Sequence, residues 1–118
     1  EAEFRKVLKL DPDNASALNY LGYMLADRNQ RLQEAQQLIS RALRLGPDSR
    51  DAHFERARLL LKQGDAAGAS QEGEKALRLS GGITERQIRY LLLRAYQATG
   101  QEKLAAEHAA ALRAAEKP

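Results

Sequence analysis

The stretch Ala35-Gln36-Gln37-Leu38-Ile39-Ser40-Arg41-Ala42-Leu43-Arg44-Leu45-Gly46-Pro47 decides the fold. Reduced to its spaced residues it reads Ala35-x6-Ala42-Leu43-x-Leu45-x-Pro47, and the same beat returns as Ala69-x6-Ala76-Leu77-x-Leu79. Its tail also precedes the first full copy, as Leu8-x-Leu10-x-Pro12. A recurrence at 34 to 36 residues, with helical spacing inside each copy, means helix pairs stacked side by side, not one closed core. Such a stack offers a long curved surface and no catalytic crevice by default.

Composition points the same way. The chain has 118 residues, enough for one domain or a short array. Ala, Leu, Arg, Glu and Gln dominate, all good helix formers. The β-branched residues are few and scattered, which argues against a sheet. Cysteine is absent, so no disulfide or thiolate metal site is expected. The net charge of +3 comes from 19 basic and 16 acidic residues mixed along the chain, without the one-sided basic stripe of a nucleic-acid binder. Apolar runs are only a few residues long, far short of a membrane span.

The chain opens at Glu1, partway through a repeat. The expectation is therefore a fragment of a longer protein, cytoplasmic or periplasmic, with any targeting segment upstream of residue 1. High Ala, Arg and Leu usage with little Lys points to a GC-rich bacterial genome.

Turn signals divide the pattern into helices. Phe4 to Leu10 reads as the second helix of a truncated repeat, ended by Asp11-Pro12-Asp13-Asn14, where Pro12 stops one helix and Asp13 or Asn14 caps the next. A helix follows over 15–28, with Leu18, Leu21, Gly22 and Leu25 on its packing face and Asn29 as a left-handed stop. The next spans 32–45, with Ala35, Leu38, Ile39, Ala42 and Leu43 inward, until Gly46-Pro47-Asp48-Ser49. The second copy runs from Arg50 to Gln63, turns at Gly64, is capped by Asp65 and continues to Leu79. After Ser80-Gly81-Gly82, Thr84-Glu85-Arg86-Gln87 has capping-box form. Helices over 85–99 and 102–115 complete the chain around Gly100.

These residues resemble the tetratricopeptide repeat family over nearly the whole chain. Its pattern is a large residue, Leu-Gly, Tyr, a turn Gly, then Ala, an aromatic, Ala and Pro. The first copy carries Leu18, Leu21-Gly22, Leu25, Ala35, Ile39, Ala42 and Pro47, with one extra residue at the turn between Asn29 and Leu32. The second carries His53, Ala57, Leu60, Gly64-Asp65, Ala69 and Ala76-Leu77 without gaps. The third carries Tyr90, Leu92, Tyr96, Gly100, Ala105 and Ala109, after two extra residues near Gly81-Gly82. The resemblance implies an all-α, right-handed superhelical solenoid of antiparallel helix pairs, about seven helices in a single array. Its divisions are 1–11, 15–49, 50–83 and 84–117.

Two departures from the pattern carry expectations. Arg56 stands where the family buries Leu, so its stem packs while its head reaches water. Gly73 replaces the aromatic of the second helix and, with Gly68, weakens it by about 1 kcal/mol per glycine relative to alanine. That helix is expected to be the least stable interior element.

In this family the first helix of each pair lines the concave face. The resemblance places Asn19, Tyr23 and Asp27 there from the first copy, with Ser16 and Ala26. Phe54, Arg58 and Lys62 come from the second, with Asp51 and Leu61; Tyr90, Arg94 and Gln97 come from the third, with Gln87 and Ala98. Two columns result, Asn19/Phe54/Tyr90 and Tyr23/Arg58/Arg94, four residues apart on each helix and so on one face. Aromatics and Arg are the residue types that anchor interfaces, and Arg holds carboxylates bidentately. The implied function is a protein–protein interaction scaffold whose groove takes a protein or peptide carrying an acidic group near Arg58 and Arg94. Some family members clamp a chaperone's terminal carboxylate with Lys, Asn and Arg. Here the expected Lys-then-Asn pair is missing, since Asn19 is followed by Tyr23.

Alternatives are end-to-end self-association through exposed terminal helices, with Phe4, Val7 and Leu8 as an apolar edge, or a regulatory module of a larger enzyme or secretion or assembly protein. No catalytic activity, cofactor, metal or nucleic acid is expected. Gly81-Gly82 lacks the strand and the Gly-Lys-Ser/Thr of a phosphate loop, and no Ser, His and Asp grouping suggests a nucleophile. His53 is expected to pack between helices and His108 to lie half-buried or at the surface, too far apart for a metal site.

Overall fold

The computed structural model describes residues 2–28 and 31–116, the side chain of Asp27 excepted. Among these residues the regular structure is seven α-helices and no strand: α1 (Ala2–Leu10), α2 (Ala15–Asp27), α3 (Leu32–Leu45), α4 (Arg50–Lys62), α5 (Ala66–Arg78), α6 (Glu85–Ala98) and α7 (Glu102–Glu116). Helix ends fall within two residues of those expected from the turn signals.

Each boundary has a local cause. Of the two cap candidates before α2, Asn14 is the one used, its side chain accepting from the Ala17 N–H at 2.9 Å. Ser49 caps α4 and Asp65 caps α5 in the same way. Thr84 and Gln87 form the expected reciprocal capping box at α6. Gly64 and Gly100 hold φ of 87° and 74°, and the bonds Asp65 N to Leu60 O and Gln101 N to Tyr96 O close the left-handed turns that end α4 and α6. The expected stop at Asn29 lies outside the described residues. Beyond it, Arg31 takes a left-handed conformation (φ 50°) just before α3.

Consecutive helices pack throughout the chain. In addition α2 approaches α4 and α4 approaches α6, whereas α3, α5 and α7 do not approach one another among the described residues. The first helices therefore lie on the inside of a curve. The result is an all-α solenoid. Leu21, Leu25, Ile39 and Leu59 anchor one core cluster; Phe54, Ile88, Leu92 and Tyr96 anchor the next. Burial of such side chains contributes about 1.5–3 kcal/mol each. Leu38, expected inward, is half-buried at the edge of the first cluster.

The helix pairs approach closely at glycines. A Cβ on Gly22 would stand 2.6 Å from Ile39 Cγ1, and one on Gly73 would stand 2.7 Å from Leu92 Cδ2. Gly73 is therefore more than the missing aromatic of the repeat pattern: it is the seat for Leu91 and Leu92 of α6. Arg56 is partly exposed, with Nε 4.0 Å from Glu72 Oε1.

The two histidines occupy separate polar sites. His53 packs between helices, Nδ1 2.6 Å from Glu72 Oε2 and Nε2 2.7 Å from the Pro47 carbonyl. His108 corrects the sequence reading: it is buried, not at the surface. Its ring stacks on Tyr96, Nδ1 accepts from Arg89 at 3.0 Å, and Nε2 lies 3.2 Å from Glu74 Oε1. The helical spacing of Ala105, Ala109 and Leu112 marked the apolar face, but the polar partners come from α5 and α6 and leave no local trace.

Candidate functional site

The inner helices α2, α4 and α6, with the α5–α6 loop, enclose an open groove of about 860 Å³. Seven of the nine residues singled out from the sequence line it. Asn19 and Tyr23 come from α2; Phe54, Arg58 and Lys62 from α4; Tyr90 and Arg94 from α6. Gln97, one turn beyond Arg94, is exposed and does not line it. The side chain of Asp27 lies outside the described residues.

The aromatic column divides by depth. Phe54 is only 7% exposed and belongs to the core cluster of Ala57, Ile88 and Leu91, so it forms floor more than a projecting anchor. Tyr90 is 43% exposed and stands at the rim, with the Arg86 guanidinium 5.7 Å from its ring centre. Asn19 is half-buried, and its Oδ1 is buried without a hydrogen-bond partner among the described residues. A buried acceptor left in that state costs about 1–3 kcal/mol.

The charged column is partly engaged within the fold. Arg58 lies over the Tyr23 ring at 4.8 Å, joining α2 to α4 by a cation–π contact. Its Nη1 also donates to Glu55 Oε2 at 2.9 Å. Glu55 is 6% exposed, a carboxylate brought into the groove wall by its own helix. Arg58 thus already holds a carboxylate and bridges two repeats. Arg94 and Lys62 are exposed, and neither makes an ion pair within the described residues. At the other end of α4, Asp51 accepts from the Ile83 backbone N–H at 2.8 Å.

Tyr20, Glu55, Ile83 and Leu91 also line the groove and were not selected from the sequence. The spacing Glu55-x-x-Arg58 held a signal for one of them, since side chains three apart on a helix meet. Ile83 follows an insertion with no counterpart in the other copies, so repeat register could not place it.

Comparison with known proteins agrees with this architecture. A family model described as Tetratricopeptide repeat matches residues 24–82, half of the chain, and a second of the same description matches residues 3–37. The TPR repeat-containing protein PA4667 of Pseudomonas aeruginosa is 42% identical over 77 residues, which is 65% of this chain. The matched stretch spans 13% of that relative's length. Repeats of this kind generally mediate protein–protein interaction. On its helix pairs, their spacing and these matches, the chain belongs to the tetratricopeptide repeat family.

Proposed function

We propose that the chain is an interaction module whose groove binds a peptide segment of a partner protein, apolar side chains against Phe54 and Tyr90 and an acidic group at the cationic side. The observation that carries this reading is the convergence of three successive inner helices on one groove with an aromatic floor and rim. Fold alone does not assign a ligand; the chemistry of the lining residues does. Because Arg58 is engaged by Glu55 and Tyr23, the acid is met first by Arg94 and Lys62, with Arg58 contributing from behind. Charge-assisted bonds of this type are about twice as strong as neutral ones.

A random linear peptide library screened against the 118-residue chain provides the test. Peptides that it enriches are expected to contain Asp or Glu near apolar residues. Replacing Arg58 and Arg94 together by alanine should weaken them at least about tenfold, equivalent to ~1.4 kcal/mol. Unchanged affinity of an enriched peptide for the double variant refutes the proposal.

A further inference from the structure

Resting on the groove reading above, we propose that Ile83 determines selectivity at the end of the groove away from Lys62, and that Arg50 and Asp51 are the residues that position it. The third copy differs from the others by the Gly81-Gly82 insertion. Here it is pinned. The Arg50 guanidinium donates to three carbonyls: Nε to Ala76 at 2.9 Å, Nη2 to Leu77 at 3.2 Å and Nη1 to Ile83 at 3.0 Å. Asp51 Oδ1 accepts from the Ile83 N–H, so both backbone groups of Ile83 are tied to the first turn of α4.

The glycines permit this contact. A Cβ on Gly81 would stand 3.0 Å from both Arg50 Cβ and Asp51 Oδ1, and one on Gly82 would stand 3.2 Å from Asp51 Oδ2. The loop lies so close to α4 that a larger residue at either position would press on Arg50 or Asp51.

The pinned loop presents a half-buried Ile83 to the groove, packed against the cluster of Phe54 and Leu91. These three side chains make one end of the groove apolar. Asp51, which also lines the groove, already receives the Ile83 N–H. On α4, Asp51 and Lys62 are 11 positions apart, about 16 Å of helix rise. The groove therefore has an apolar end and a cationic end, and a ligand that satisfies both has a fixed direction. Arg58, in the column of Arg94, is 7 positions from Asp51, about 10 Å, so an extended segment reaches the cationic side in about three to five residues at ~3.3 Å each. The ligand class is a peptide with an apolar side chain at Ile83 and a carboxylate about three to five residues away.

The peptide-library screen separates this proposal from the one it rests on. Peptides enriched by the unaltered chain should show an apolar position and an acidic position at fixed spacing. Ile83→Ala should weaken such a peptide about tenfold and relax the apolar position while keeping the acidic preference. Ile83→Val, a smaller truncation that guards against misfolding, should shift both in the same direction by less. Arg50→Lys keeps the charge but loses the fork, and should relax the apolar position alone. A purely structural Arg50 would instead lower affinity for all peptides alike. If Arg94→Ala weakens binding while the Ile83 variants leave affinity and preference unchanged, the Ile83 assignment is overturned and the groove reading stands. If enriched peptides ignore Tyr90→Ala and Arg94→Ala as well, or none is enriched, the groove reading falls and this one with it.

Discussion

Tyr96 shows how a single residue links helix packing to pH. It is 7% exposed, stacks on His108 with ring centres 5.7 Å apart, and shares a side-chain hydrogen bond with Ser70. Burial raises its pKa above the ordinary value of 10.0, the nearby Glu74 and Glu107 carboxylates raise it further, and the Ser70 bond opposes them. A group whose folded pKa is raised contributes stability that is fully present below its unfolded value and is lost as pH rises through the folded one. The contribution is therefore intact at neutral pH and declines only above about 10. Tyr96→Phe cannot ionise, so thermal melts taken from neutral pH upward should show the two proteins diverging above that point, the variant losing less. Parallel curves would show that the phenol is not what alkaline pH disturbs.

At the scale of the element, α5 sets two effects of glycine against each other. Helix propensity favours Gly73→Ala by about 1 kcal/mol. Packing opposes it, because the new Cβ would meet Leu92 Cδ2 at 2.7 Å, Leu92 Cγ at 3.1 Å and Leu91 Cδ2 at 3.2 Å. Leu92 is fully buried, so it has nowhere to swing, and overpacking of a filled core costs about 1–3 kcal/mol. Packing is expected to win, and urea denaturation of Gly73→Ala should give a lower midpoint than the unaltered chain. A raised midpoint would mean that α6 gives way freely. The sequence exposed only half of this balance: a glycine in a helix announces its propensity cost locally, while the side chain it admits comes from another repeat.

The same division runs through the site. Asn14, Asp65 and Thr84 carry their cap signals in themselves, so the helix ends were legible. The columns Asn19/Phe54/Tyr90 and Tyr23/Arg58/Arg94 follow from counting in register, so most of the groove lining was legible too. What Arg58 does there was not. Its engagement by Tyr23 depends on the spacing of two helices, and the entry of Ile83 depends on a loop folded onto Arg50 and Asp51.

For the whole molecule, the governing fact is that helices touch mainly their neighbours in sequence. A compact chain of this length has a radius of gyration of about 13.5 Å, whereas this one has 14.8 Å and extents of 46 × 30 × 22 Å. Stability in such a stack is approximately a sum of repeat and interface contributions, so local opening follows the number of interfaces each helix makes. Among the described residues α1 packs chiefly on α2, Arg5 reaches Glu34 of α3 at 2.7 Å, and Leu10 is left 90% exposed. The central helix α4 packs on α2, α3, α5 and α6. Native-state hydrogen exchange is therefore expected to be fastest in α1 and slowest in α4. Within the interior, α5 should exchange faster than α4 and α6, because Gly68 and Gly73 raise the cost of its helical backbone and it lies outside the contacts among the inner helices. Uniform protection from α1 to α7 would show a single cooperative unit instead. Protection greatest in α5 would show that the seat it provides for Leu92 outweighs its two glycines.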